Sequence, residues 1–249
     1  MMLDDIYFNK IRLRKTTLKD ISNSLLNLEK SNFPNHLHFL AASSLVAALD
    51  REDLNDVFNS GISICDSGPL AGVLRNRNPD FRNIRGSDFF REVIRLDDGT
   101  KGHFFIVPSV EIYNHLLVYT KEFNPKFKFT GYLVPDFADT FEKEYPGWES
   151  EILQSKSEFV WVGLGSPKQD YIAHHLHMAT GRTCIALGAA IEFVSGAKPE
   201  APRLVQAMYL EWFFRLLQDP RRLISRYTIG NFRFLFQVGK YLINLNKTS

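Results

Sequence analysis

Between about residues 36 and 196, short unbroken apolar runs alternate with stretches in which apolar residues return every three or four positions. The runs predict strands at His36 to Ala41, Ile62 to Cys65, His103 to Val107, Phe127 to Leu133, Phe159 to Val162 and Thr183 to Leu187. Helical spacing predicts intervening helices at Ser44 to Asn59, from Ser67-Gly68-Pro69 to Leu74, from a Ser87 cap to Leu96, and from a Ser109 cap to Glu122. Two more are expected over Ala138 to Ser155, interrupted near Pro146-Gly147, and over Ser166 to Thr180. A polar, Lys-rich start and a packing helix over Thr17 to Lys30 come before the first run. Strictly alternating strands and helices predict a Rossmann-like α/β domain with a mostly parallel sheet and right-handed crossovers.

The last fifth of the chain changes character. Ala201-Pro202 introduces a helix over Arg203 to Gln218, Asp219-Pro220 starts another, and Gly230-Asn231 punctuates it before a third over Phe232 to Leu245. No strand intervenes, so the expected division is a catalytic domain over 1–200 and a helical appendage over 201–249.

Ligands of open parallel sheets bind beyond the carboxyl ends of the strands. Three predicted strand ends carry chemistry there. Asp66 follows one strand. Gly163-Leu164-Gly165-Ser166-Pro167-Lys168-Gln169 follows another, with glycines, a capping Ser166 and a helix start whose N–H groups favour an anion beside Lys168. Gly188-Ala189-Ala190-Ile191-Glu192 follows the third. An acid, a phosphate-friendly turn and a small-residue turn suit a site that binds a nucleotide and deprotonates a hydroxyl.

Charge adds a second expectation. The 249 residues carry a net charge of +2. From Arg203 onward, eight basic residues face Glu211 and Asp219, a local +6 that leaves −4 for the rest. Arg215, Arg222 and Arg226 lie among the tail's aromatics, so the tail is expected to meet an anionic membrane surface. A packed helix face made of Leu210, Trp212, Phe213, Phe214 and Leu217 is the alternative. The 21 Phe residues are the one compositional excess. Met1 to Lys10 lacks the apolar core of a signal peptide and no run reaches a membrane span, so a cytoplasmic protein is expected. Cys65 and Cys184 read as buried hydrophobes, and His174, His175 and His177 lack metal-ligand spacing. Neither a metal nor a nucleic-acid partner is expected.

Taken together, the separated motifs resemble the WecG/TagA/CpsF glycosyltransferases, also called glycosyltransferase family 26. They are the strand ending in Asp66, Arg85-Gly86-Ser87-Asp88, Gly163 to Asp170, Gly188 to Phe193 with Gly196, and Ala201-Pro202. Leu210-Glu211-Trp212 through Arg215, Asp219-Pro220-Arg221-Arg222 and Arg226-Tyr227 continue the likeness. The resemblance implies a Rossmann-like core of the kind termed GT-E. It also implies inverting transfer of a sugar such as N-acetylmannosamine from UDP to a polyprenyl-pyrophosphate-linked acceptor at the inner membrane face. It makes Asp66 the general base, Gln169 a substrate-positioning residue and Arg85 a ligand of the sugar or acceptor phosphate. Gly163, Gly165, Ser166, Lys168, Gly188, Ala189 and Glu192 become the donor site. UDP-sugar is then a substrate and no cofactor is implied; a homo-oligomer is left open.

Four departures stand out. Leu40-Ala41-Ala42 replaces the common Thr-x-Asn, Glu192 the common Asp, and Glu200 the usual Arg, while Val107-Pro108-Ser109 lacks the usual glycines. They keep a catalytically weakened nucleotide- or membrane-binding relative as the alternative reading. A dinucleotide oxidoreductase is disfavoured, because the G-x-G-x-x-G spacing is missing.

Overall fold

The computed structural model describes residues 5–27, 36–136, 145–208, 210–218 and 220–247; side chains at 145–146, 207, 215, 218, 220–229, 231 and 245–247 lie outside the description. The start of the helix expected at Ala138, the end of the one expected over Thr17 to Lys30, and Asp219 of the tail therefore fall outside the described residues.

A six-stranded, wholly parallel sheet forms the centre, in the order β4 (Ile62–Cys65), β3 (His36–Leu40), β8 (Thr183–Ala186), β7 (Phe159–Val162), β5 (Gly102–Ile106) and β6 (Lys128–Leu133). The fold is α/β and Rossmann-like, as the alternation predicts. Strands β3, β4, β5, β7 and β8 are buried along their whole length. That explains why they read as unbroken apolar runs rather than as alternating ones.

One face of the sheet is covered by α1 (Leu18–Leu26), α5 (Gly86–Leu96), α6 (Val110–Phe123) and α9 (Ala190–Val194). The other carries α2 (Ala42–Asp50), α3 (Glu52–Ser60), α4 (Gly68–Leu74), α7 (Tyr145–Ser155) and α8 (Lys168–Thr180). Much of the aromatic excess is spent on the first face, where Phe39 packs on Phe89, Phe90 on Trp161, and Phe127 stacks on His103. The Trp161 indole N–H donates to His103 Nδ1 at 3.0 Å, and His103 Nε2 meets Asp97 at 3.2 Å, so this apolar layer encloses a satisfied polar pair.

Three elements differ from the sequence expectation. The start of the chain is a hairpin, β1 (Asp5–Phe8) and β2 (Ile11–Arg14), which buries Ile6, Phe8, Ile11 and Leu13. The helix expected over Ser44 to Asn59 is two, broken where Arg51 is extended. There Arg51 lies over the Tyr171 ring and the Tyr171 hydroxyl donates to Asp53 at 2.5 Å, which fastens the new helix to α8.

The third difference is in the tail. Its first expected helix is split into α10 (Arg203–Ala207) and α11 (Glu211–Gln218), whereas α12 (Pro220–Lys247) runs unbroken through Gly230. A helical glycine costs about 1 kcal/mol, and packing opposes that cost. Phe234 and Val238 enter the same core as the hairpin, and Phe8 meets both Phe234 and Tyr241. Arg233 also pairs with Asp50 of α2.

Candidate active site

Hydrogen bonds of the sheet continue past the strand tips and align the loops that follow them. Asp66 N–H donates to Leu40 O at 3.0 Å, Gly163 N–H to Ile106 O at 2.9 Å, and Gly188 N–H to Val162 O at 3.3 Å. Asp66, Leu40-Ala41-Ala42, Gly188-Ala189 and the Gly163–Gln169 turn thus follow four adjacent strands on one edge. The outer two are three strand spacings apart, roughly 14 Å.

Asp66 is half-buried. A carboxylate after a strand is often only a helix cap. Here the cap of α4 is Ser67, whose Oγ accepts the Leu70 N–H at 3.3 Å. The acid therefore stands at the sheet edge without that structural duty.

The Gly163–Gln169 turn is closed differently from the sequence expectation. Ser166 does not cap α8; Pro167 occupies the cap position with no side-chain bond. Gln169 takes that role instead, since its Oε1 accepts the Gly165 N–H at 2.9 Å while its own N–H donates to Gly165 O at 3.0 Å. With the Asp170 N–H given to Pro167 O, several donors expected to face an anion are used inside the turn. The turn's other polar side chains are the half-buried Ser166, whose hydroxyl oxygen is buried, the half-buried Lys168 and the buried Gln169 amide. Gln169 is 3% exposed, and its Oε1 is the amide atom bonded within the turn.

Two glycines here have separate reasons. Gly163 is required by packing rather than by a ligand, because a Cβ would come within 2.8 Å of Ile191 Cδ1. Gly188 has φ +60° and a Cβ on it would lie 2.9 Å from Gln169 Oε1. Gly188→Ala is expected to cost about 1–2 kcal/mol for the left-handed backbone and to push Gln169 off Gly165. A lowered urea midpoint with an unchanged m-value would record it.

Glu192 is turned to Lys198, Oε1 to Nζ 2.6 Å, and Ala189 is the cap residue of α9. Arg85 is bound up in a charge cluster. Its guanidinium meets Glu200 at 2.6 Å, Glu211 at 3.4 Å and Asp88 at 3.9 Å, and donates to Gln206 Oε1. Ser87, expected as the cap of α5, instead donates its hydroxyl to Glu200 at 2.7 Å, and Arg91 reaches the other Glu200 oxygen at 2.6 Å. Burial would raise the Glu200 carboxyl, but Arg91, Ser87 and Arg85 together hold it below its ordinary range. Glu200 thus holds the segment before α10 to the start of α5, and Arg85 extends the link to Gln206 of α10 and Glu211 of α11.

On α11, Trp212, Phe213 and Leu217 are exposed, as are Leu204 and Met208 before it. This overturns the alternative of a packed core face at those positions. The side chains of Arg215, Arg222 and Arg226 lie outside the described residues. No described helix is long and apolar enough to cross a membrane.

A parallel α/β sheet with an acid, a glycine turn and a small-residue turn on its carboxyl edge is of the open α/β class, whose ligands bind beyond that edge. The particular family follows from comparison. Residues 6–248 match the model of the glycosyl transferase WecG/TagA/CpsF family, and the chain belongs to it. It is 28% identical over 140 residues to an N-acetylglucosaminyldiphosphoundecaprenol N-acetyl-beta-D-mannosaminyltransferase of Bacillus spizizenii, covering 56% of this chain and 53% of that protein. The like-named protein of Bacillus subtilis is 26% identical over 181 residues, 71% of this chain and 68% of the relative. A Staphylococcus aureus relative of the same name is 32% identical over 69 residues, 27% of each chain. The chain thus spans about half the length of the first of these relatives.

The residues near the site that sequence reasoning did not single out are His38, His36 and the carboxylate of Asp170, which are joined by buried hydrogen bonds. The available signal was the His36-Leu37-His38 spacing, which puts two histidines on one face of a strand expected to be buried.

Proposed function

We propose that the chain is an inverting glycosyltransferase that moves an N-acetylmannosamine-type sugar from UDP to a polyprenyl-pyrophosphate-linked saccharide in bacterial surface-polysaccharide synthesis. The observation that carries this reading is Asp66, standing uncommitted to the α4 cap on the edge that also bears the Gly163–Gln169 turn, in a chain of this family.

In the reaction, Asp66 takes the proton of the acceptor hydroxyl as its oxygen attacks the anomeric carbon from the face opposite UDP. Charge that builds on the departing diphosphate is met by Lys168 and Ser166. Gln169 Nε2 hydrogen-bonds the sugar, while Gly188, Ala189 and Glu192 adjoin the nucleoside. Arg85 receives an acceptor phosphate by exchanging Glu200 or Glu211 for it, since all three are oxygen anions competing for one guanidinium. The exposed apolar side chains of α10 and α11, with Arg215, Arg222 and Arg226, form the surface that meets anionic lipid on the cytoplasmic side.

The test is UDP release with a panel of UDP-sugars and a short-chain lipid-linked N-acetylglucosamine diphosphate acceptor. Turnover with an N-acetylmannosamine donor is the expected result; absence of both turnover and stabilisation by UDP would refute the reading. A second reading, a weakened or inactive relative, is favoured by the apolar Leu40-Ala41-Ala42 and by the ion-paired Arg85. It is distinguished by UDP stabilisation without turnover.

A further inference from the structure

Four polar side chains beneath the start of α8 form one run of hydrogen bonds. Asp170 Oδ1 meets His38 Nδ1 at 2.9 Å, His38 Nε2 meets His36 Nδ1 at 2.8 Å, and His36 Nε2 meets His174 Nδ1 at 3.4 Å. Asp170, His38 and His36 are 1%, 0% and 3% exposed, and His174 is half-buried. The second Asp170 oxygen is buried with no hydrogen bond. Among the described residues, no three His, Cys, Asp or Glu side chains are placed to share a metal ion.

The chain has a direction. A carboxylate can only accept, so the His38 proton is on Nδ1 and its Nε2 is an acceptor. His36 must then donate from Nδ1, which leaves its Nε2 to accept from His174 Nδ1–H. One neutral tautomer per ring satisfies all three bonds, and Asp170 sets it for the whole run. A ring protonated on both nitrogens would set N–H against N–H. Burial first, and the neighbouring rings second, hold His36 and His174 well below the ordinary imidazole range.

The anchored end lies at the site. Asp170 follows Gln169, whose Oε1 holds the Gly165 N–H and would be met by any Cβ on Gly188. The Asp170–His38 bond joins this first turn of α8 to β3 across 132 residues of sequence, two positions before Leu40. We propose that Asp170 is a positioning residue, and that the His38–His36–His174 chain fixes its carboxylate so that Gln169 and the Gly165–Lys168 turn keep their place at the sheet edge. Its consequence for rate rests on the sugar-transfer reading; its tautomer pattern does not.

Two measurements on the full chain decide it. In protein labelled with nitrogen-15 at histidine, His36, His38 and His174 should each show a protonated Nδ1 and an unprotonated Nε2 at pH 7.5. The reverse tautomers, with protons on Nε2, would overturn the chain as drawn. In the UDP-release assay, Asp170→Asn, which keeps the shape and removes the charge, should lower kcat on the order of 100-fold with donor KM close to that of the unaltered protein. His174→Gln, at the exposed end, should keep the wild-type urea midpoint yet loosen the His36 and His38 tautomers and lower kcat by a smaller factor. Wild-type kcat in both variants would leave the run a purely structural one and overturn the positioning role. If the unaltered protein releases no UDP, the transfer reading fails instead, and hydrogen exchange of the Gly165 N–H held by Gln169 decides positioning: faster exchange in Asp170→Asn supports it and unchanged exchange overturns it.

Discussion

Asp66→Asn is expected to lower sugar transfer by roughly 100- to 10,000-fold, the usual contribution of a general base, while leaving UDP affinity unchanged. The amide keeps the volume and the hydrogen-bonding reach of the carboxylate but cannot take the acceptor proton. Folding should survive, because the cap of α4 is Ser67 and the bond that aligns position 66 with Leu40 uses backbone atoms. The check is UDP release at saturating donor together with a UDP titration by calorimetry. Undiminished turnover would remove Asp66 from the chemistry. Loss of UDP binding along with turnover would make it a structural residue of the edge.

Acid should destabilise the protein between pH 6.5 and 5, above the range in which its carboxylates titrate. His36 is kept neutral by burial and by the neighbouring His38, His174 and His177, its pKa pushed down to about 2. In the unfolded chain the same ring takes a proton near the ordinary imidazole value of 6.5. The unfolded state therefore binds more protons over this window, and stability falls as pH falls. The full contribution is present above pH 6.5 and is lost progressively toward the folded pKa. At about 1.4 kcal/mol per pH unit, this one ring accounts for about 2 kcal/mol by pH 5. His103 and His174 are displaced in the same direction, His103 by burial that outweighs its Asp97 partner. Urea melts at pH 5.0 and 7.0 measure the loss, and His36→Gln should flatten the dependence. A midpoint that rises on acidification would mean that the buried rings carry charge.

The charge cluster around Arg85 joins α5 to the segment that follows β8 and α9. Glu200, Glu211 and Gln206 bring three tail residues onto one guanidinium at the start of α5. The side chains are half-buried, so the pairs are less screened than surface ones. An acceptor phosphate and the tail then compete for the same group, which couples acceptor entry to the seating of α10 and α11 under the proposed function.

What the sequence determined alone is whatever near neighbours encode. Apolar runs against helical spacing produced the strand and helix alternation, because burial on both faces and burial on one stripe leave different periods. The strand-end rule then placed Asp66, the Gly163–Gln169 turn and Gly188-Ala189 on a common edge before any coordinate was known. The hairpin escaped because its strands are four residues each, too short for alternation to stand out. Tertiary structure alone decided the rest, since those outcomes depend on partners far apart in the chain. The order β4-β3-β8-β7 set His38 beneath Asp170, and the path of the tail set Glu200 against Arg85. Packing of Phe234 and Val238 carried α12 through Gly230. The Gly163–Gln169 turn was legible as a turn from its glycines, yet its closure by Gln169 was not. The amide reaches back to the Gly165 N–H while a capping serine would reach forward into the first helical turn, and geometry decides which bond forms.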